Sequence, residues 1–293
     1  MIKPDIESVK KALKKHDFPV DVIIETIALC NLKCVMCPQD SLTRPRGQMN
    51  VDLFKKIIDE VSAAAKETKI WLAIMGEPLL CSRIIEMVEY TTAMGLPVHL
   101  NTNAMLLNKQ MSSFLVEAGV KQFVVGLDAM DADTYSKIRV NGDGKTVKKN
   151  TLDLLEIADN VVVQFIEMEE NTDQMEAFKD YWLGKGAIVK IRPRLGWGKG
   201  VPAANLEDFT PERFPCGWLN RTVSIHWDGN VAQCDGDYDG KHYAGNLNQQ
   251  TIKELWEGEL AARRERHWNK DFSHELCANC QDWKAGRSYV YHP

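Results

Sequence analysis

The 293-residue sequence lacks an excess of positive charge: its formal net charge is -5 and its pI is near 5.9. Without a polybasic footprint, neither a nucleic-acid backbone nor an anionic membrane surface is indicated as a partner. Long hydrophobic runs are missing too, and the first residues (MIKPDIESVKKALKKHDF) mix lysines and acids where a secretory signal would carry an apolar core. The chain therefore reads as cytoplasmic, with no nucleic acid and no membrane among its partners. Internal repeats and low-complexity tracts are also absent. The balance of 44% hydrophobic and 26% charged residues is that of a globular protein able to bury a large core.

Cysteine, by contrast, is plentiful, with eight residues. Cys30, Cys34 and Cys37 lie near the start, Cys216, Cys234, Cys277 and Cys280 near the end, and Cys81 stands alone. In a cytoplasmic chain such grouping does not suit a disulfide scaffold. Gathered soft thiolates point to zinc or iron–sulfur.

Between Asp21 and about Arg194, β-rich runs alternate with amphipathic stretches. VDVIIETIAL, KIWLAIM, PVHLNT, KQFVVGLD, NVVVQFIEM and AIVKIRP are six expected strands. In the first helical stretch, Asn50 is placed to cap a helix whose Phe54, Ile57, Ile58 and Val61 recur at helical spacing. Similar patterns follow in RIIEMVEYTTAMG, NKQMSSFLVEAG, TVKKNTLDLLEIA and QMEAFKDYWLGKGA. Such alternation implies a parallel sheet with right-handed crossovers, and six units suit an incomplete barrel or an open doubly wound sheet. The pattern breaks in LGWGKGVPAANLEDFTPERFP, where glycine and proline accumulate. A β-hairpin, RTVSIHWDGNVAQC, with its turn at Asp228-Gly229 or Gly229-Asn230, and one short helix, TIKELWEGELAARRERH, then lead to the closing CANC. The expected division is an N-terminal helical extension over 1–20, an α/β barrel over 21–200 and a small α+β domain over 201–293.

Cys30, Cys34 and Cys37 form C-x3-C-x2-C directly after the first strand, at the end of the sheet where α/β folds place ligand chemistry. Three thiolates hold three irons of a 4Fe-4S cluster and leave the fourth open; zinc with a distant histidine, or unreactive buried thiols, are the alternatives. The four later cysteines offer a complete set for a structural zinc or a closed 4Fe-4S cluster, and ligand chemistry alone does not separate the two.

CNLKCVMCP resembles the signature of the radical S-adenosylmethionine superfamily. That resemblance implies a partial (β/α)6 TIM-like barrel, S-adenosylmethionine chelated by the open iron, and a 5′-deoxyadenosyl radical that takes hydrogen from substrate. A flavodoxin or ferredoxin-type electron donor is implied with it. MGEPLL is similar to the family's GGEP segment, implying contacts from Gly76 and Glu77 to the cofactor's amino group, with Met75 where a glycine is usual. LNTNA resembles its TNG and gives Thr102 and Asn103 as polar lining. GLDAMDADTYSKIR resembles its SLDG…Y…IR, giving Asp128 and Arg139 as contacts to ribose and carboxylate, with Gly126 in place of the usual serine. Gln164 matches a fifth-strand position that often faces the cofactor. The later segment CGWLNRTVSIHWDGNVAQCDGDYDG…CANC resembles the SPASM/Twitch extension, in the shorter form with one auxiliary cluster. Its cysteine order is similar to that of the dehydrogenases acting on 2-deoxy-scyllo-inosamine.

A closed auxiliary cluster suits electron transfer, so the leading expectation is oxidation of an alcohol to a ketone in a small-molecule substrate, a sugar or aminocyclitol. Arg192, Arg194 and Lys199 are candidates to bind substrate oxygens. Asp235, Asp237, Asp239, Glu167 and Glu169 are the acids near the expected mouth. Epimerisation is a second expectation, with Cys81 as the thiol that returns hydrogen. Peptide modification is a third, weakened because only about twenty residues precede the first strand. A zinc-binding protein without radical chemistry is a fourth.

Overall fold

The computed structural model describes residues 5–202, 212–285 and 288–293. Part of the expected linker, residues 203–211, lies outside the described residues.

All six expected barrel strands form: β1 (Asp21–Ile24), β2 (Lys69–Leu72), β3 (Val98–Thr102), β4 (Gln122–Gly126), β5 (Val161–Glu167) and β6 (Ile188–Pro193). Neighbours pair in parallel in that sequence order. Helices on the outer face supply the crossovers: α2 (Val51–Ala64), α3 (Ile84–Ala93), α4 (Lys109–Glu117), α5 (Ala132–Ile138), α6 (Gly144–Leu155) and α7 (Met175–Leu183), after an N-terminal α1 (Ile6–Ala12). Asn50 caps α2 through Asp52 N and Leu53 N, and Phe54, Ile57, Ile58 and Val61 are buried. With Val22, Ile24, Leu72, Leu100, Phe123, Val163, Phe165 and Val189 they form one core between the sheet and its helices.

The later segment builds onto this sheet. After α8 (Gly217–Arg221), the hairpin strands β7 (Thr222–Ile225) and β8 (Asn230–Ala232) turn through Gly229, whose φ of +86° suits glycine. β7 pairs in parallel with β1 (Asp21↔Thr222), and β9 (Gly245–Asn246) extends beyond β8. At the opposite margin β10 (Tyr289–Tyr291) pairs antiparallel with β6. The sheet order is β9-β8-β7-β1-β2-β3-β4-β5-β6-β10.

The helix expected over TIKELWEGELAARRERH is two helices, α9 (Ile252–Glu257) and α10 (Glu259–Trp268), broken at Gly258, whose φ and ψ (-95°, -108°) leave the helical region. A final short α11 (Glu275–Ala278) carries Cys277. No helix of the described residues is long and apolar enough to cross a membrane.

Candidate functional site

The first three cysteines occupy the loop that leaves β1. Lys33 and Cys34 form a two-residue antiparallel ribbon with Arg139 and Val140, in the register Cys34↔Arg139. Arg139 Nη1 consequently lies 3.9 Å from Cys34 Sγ. The rest of that guanidinium is held by Asp128, with Nε and Nη2 at 2.8 and 2.6 Å from Oδ2. The other Asp128 oxygen accepts from Ile166 N at 2.7 Å. Both carboxylate oxygens, expected to reach a ribose, are engaged by the protein. Gly126 explains its own departure from the usual serine: a Cβ there would run into the Arg139 guanidinium.

The segment after β2 braces the other flank of the loop. Glu77 N donates to Leu29 O at 2.9 Å, and Gly76 passes so close that a Cβ would overlap the Ile27 carbonyl. Glu77 is fully buried and accepts from Thr102 Oγ1 and Asn103 N, each at 2.7 Å, and from Leu79 N at 3.2 Å. Asn103 Nδ2 then donates to Asn31 Oδ1 at 2.8 Å and stands 3.8 Å from Cys30 Sγ. Glu77, Thr102 and Asn103 thus form one network that reaches Cys30 through Asn103, and Gly76 packs against the backbone leading into the same loop. Burial pushes the Glu77 carboxyl above its usual range, against these hydrogen bonds.

Burial likewise pushes the Cys30 thiol up to about 11 and Cys37 up to about 12, with Cys34 adding repulsion at Cys37. All eight cysteines are free of disulfides. A thiolate here therefore needs a cationic partner, and iron meets that need. The later four behave alike: Cys234 is raised well above its usual value and Cys280 to about 12, chiefly by burial, and Cys234 is influenced by Cys216, Cys277 and Cys280 together. Among the described residues no three Cys, His, Asp or Glu side chains converge where one metal ion would sit. Ligands of a multi-iron cluster bind separate irons and do not require that convergence.

A short segment after β6 joins the two cysteine groups. Arg194 Nη2 donates to Val35 O at 2.8 Å and Trp197 Nε1 to Met36 O at 3.0 Å, both in the first cysteine loop. Gly196 N and Gly198 N donate to Asp282, two residues after Cys280, at 2.6 and 3.0 Å. Arg194, expected to hold substrate oxygens, is committed to the loop backbone.

The sheet's inner face, opposite the helices, carries polar side chains. Arg192 Nε donates to Gln164 Oε1 at 3.3 Å and Nη1 to Pro193 O at 3.2 Å. Ser224 Oγ donates to Asp235 Oδ1 at 2.5 Å, and Asp235 is pushed up to about 6 by burial. The side-chain oxygen of Asn101 is buried with no hydrogen-bond partner among the described residues. Asp237 and Asp239 serve as loop acids, accepting from Lys241 N and His242 N, and from Thr43 and Arg44 N. Glu167 is buried and Glu169 exposed.

Cys81 requires a correction. It is 2% exposed within the apolar core, with Sγ 4.0 Å from Met87 Sδ, so its thiol faces packed side chains instead of a substrate cavity. Sequence reasoning missed Lys190. Its signal was present in IVKIRP, where cations alternate with apolar residues at strand spacing.

Comparison with known proteins yields two family matches: the Radical SAM superfamily over residues 24–180 and the iron-sulfur cluster-binding SPASM domain over residues 216–281. The S-adenosyl-L-methionine-dependent 2-deoxy-scyllo-inosamine dehydrogenase of Niallia circulans is 24% identical over 268 residues, covering 88% of this chain and 91% of its own. Several other curated relatives match over only about half their length, 54% for the first of them. Among solved structures, BtrN in complex with AdoMet and 2-DOIA superposes with a TM-score of 0.65 at 19% identity, covering 95% of this chain and all of that one. Streptococcus suis SuiB bound to precursor peptide SuiA gives 0.75 at 12% identity, covering 96% and 73%. These likenesses show a shared fold.

Proposed function

The chain belongs to the radical SAM superfamily, and from that premise we propose that it oxidises a secondary alcohol of a small polyhydroxylated molecule, a sugar or aminocyclitol, to a ketone. Its cofactors on this reading are S-adenosylmethionine and two 4Fe-4S clusters, and its electron donor is a flavodoxin- or ferredoxin-type protein. When bound, the first cluster with S-adenosylmethionine would supply abstraction of the hydrogen atom on the alcohol carbon, and the second would accept the electron released once the hydroxyl proton has passed to a base.

Cys30, Cys34 and Cys37 would hold the first cluster, and Cys216, Cys234, Cys277 and Cys280 the second. The observation that carries the reading is the bridge over residues 194–198, hydrogen-bonded to Val35 and Met36 on one side and to Asp282 beside Cys280 on the other. One hydrogen-bonded segment thus links the first cysteine loop to the residue two positions after Cys280. Such a direct link supports electron transfer over a remote, purely structural role for the second group. The extensive likeness to the inosamine dehydrogenase adds support.

The residues have distinct jobs in this reading. Glu77 fixes Thr102 and Asn103 beside Cys30, Asp128 holds Arg139 against Cys34, and Gln164 orients Arg192 on the inner face. Asn101, whose oxygen lacks a donor among the described residues, is suited to a substrate hydroxyl.

The experiment is anaerobic reconstitution, then reduction with S-adenosylmethionine and a panel of polyols and aminocyclitols. Formation of 5′-deoxyadenosine with loss of two hydrogens from one panel member is expected. Reconstituted protein that contains zinc and no sulfide overturns the reading. Deuterium incorporation without mass loss would redirect it to epimerisation.

A further inference from the structure

On β6 the side chains alternate. Val189 and Ile191 enter the core with the helices, so Lys190 and Arg192 project from the opposite, inner face. The register places Gln164 beside Lys190 and Ile166 beside Arg192. Although β6 and β7 are separated by five strands in the sheet order, Arg192 and Ser224 both lie near Asp235. The sheet therefore curls until its margins face one another, and the two cations look into the enclosed space.

Among the described residues neither cation forms an ion pair with a carboxylate. Arg192 donates to Gln164 and to the Pro193 carbonyl, both uncharged. Lys190 is partly buried, and among the described residues no side-chain hydrogen bond or ion pair is formed by its amine. Asp128, Asp282 and Asp235 act on Arg192 at longer range and offset part of its charge, although Asp128 is paired with Arg139. Among the described residues no acid acts on Lys190 in this way. Burial, and then Arg192, lower the Lys190 amine to about 8. Two adjacent cations on the inner face of a strand are costly unless something of opposite charge joins them. The pair also combines a compact ammonium with a planar fork, a set that suits phosphate or carboxylate.

We infer that Lys190 and Arg192 form an anion subsite on the inner face of the sheet, and that the substrate is a polyol carrying a phosphate or carboxylate group. The inference rests on the oxidation proposed above for the reaction. It adds the substrate's charge, and it departs from a cationic aminocyclitol.

The test uses the full chain, anaerobically reconstituted, in equilibrium titrations with inorganic phosphate, acetate and neutral myo-inositol as probes. Saturable binding of phosphate or acetate is expected, with myo-inositol failing to compete. Preference for phosphate assigns a phosphoryl group, and preference for acetate a carboxylate. K190Q and R192Q should each weaken the preferred anion roughly thirtyfold or more. K190R should restore most of the loss, while S-adenosylmethionine affinity stays unchanged in K190Q. Absence of saturable anion binding, equal binding by K190Q, or parallel loss of S-adenosylmethionine in K190Q overturns the subsite. The last result would assign the pair to the cofactor's own carboxylate. If anions bind as expected but no polyol, anionic or neutral, loses hydrogen in the turnover assay, the subsite stands and the oxidation falls. If only neutral polyols lose hydrogen, the oxidation stands and the anionic substrate falls.

Discussion

Single atoms decide several properties of the cysteine loop. At Gly126 a methyl group has no room beside Arg139, so Gly126→Ala must displace the guanidinium or the strand. Overpacking of this kind costs about 1–3 kcal/mol. The variant should show a lower anaerobic melting temperature and lose most 5′-deoxyadenosine formation, both measurable on reconstituted protein. Glu77→Gln replaces a carboxylate that accepts three hydrogen bonds by an amide that presents donors to donors. Leaving buried donors unsatisfied costs about 1–3 kcal/mol, and iron content after reconstitution should fall as Asn103 loses its tether. His226 gives a pH dependence. Burial, followed by repulsion from Arg44, lowers its imidazole to about 3, and Nδ1 faces the Tyr243 hydroxyl at 2.9 Å. A depressed histidine contributes stability that is present above its unfolded value of about 6.5 and is lost as pH falls toward the folded value. Melting temperature should therefore drop between pH 7 and pH 4, and His226→Gln should flatten that fall, as scanning calorimetry across pH will show.

The elements themselves were largely legible. The six barrel strands and the helices α2, α3, α4, α6 and α7 announce themselves through period and caps, because each buries a face whose spacing is local information. The break between α9 and α10 was not, since a glycine inside a helical pattern is usually tolerated and only its contacts decide. α9 begins with a capping box in which Thr251 and Glu254 satisfy each other's backbone donors. Thr251→Ala should cost about 1 kcal/mol, read as a shift in the urea midpoint with little change in slope. The alternation in β6 is equally local, although Lys190 belongs to none of the motifs that carry the family resemblance.

Across the whole molecule, what sequence did not disclose is long-range. Nothing local in RTVSIHW specifies that it lies beside β1, nor that YVY returns to β6; these pairings are fixed by surfaces that exist only after folding. Cysteine arithmetic, in contrast, revealed both thiol groups, since ligand chemistry constrains spacing directly. A buried ion pair of the barrel also ties down the later segment: Arg44 binds Glu25 at 2.5 and 2.9 Å, its Nε donates to Tyr238 O, and Trp227 N donates to Glu25 at 3.2 Å. Arg44→Met leaves Glu25 without its cation, with only backbone hydrogen bonds to support a carboxylate that burial already raises. Loss of about 3–5 kcal/mol is expected, with the double variant Glu25→Gln, Arg44→Met recovering most of it in thermal denaturation.

The partnership of β1 with β7 has a consequence for synthesis. On the ribosome β1 emerges about two hundred residues before Thr222, so one side of an early, apolar strand waits through most of translation for its neighbour. Such distant pairing is slow, and a waiting edge invites association with other chains. The nascent protein is therefore expected to depend on chaperones until the hairpin arrives, and on iron delivery that follows its arrival, because the loop holding Cys30 hangs from that same unfinished strand.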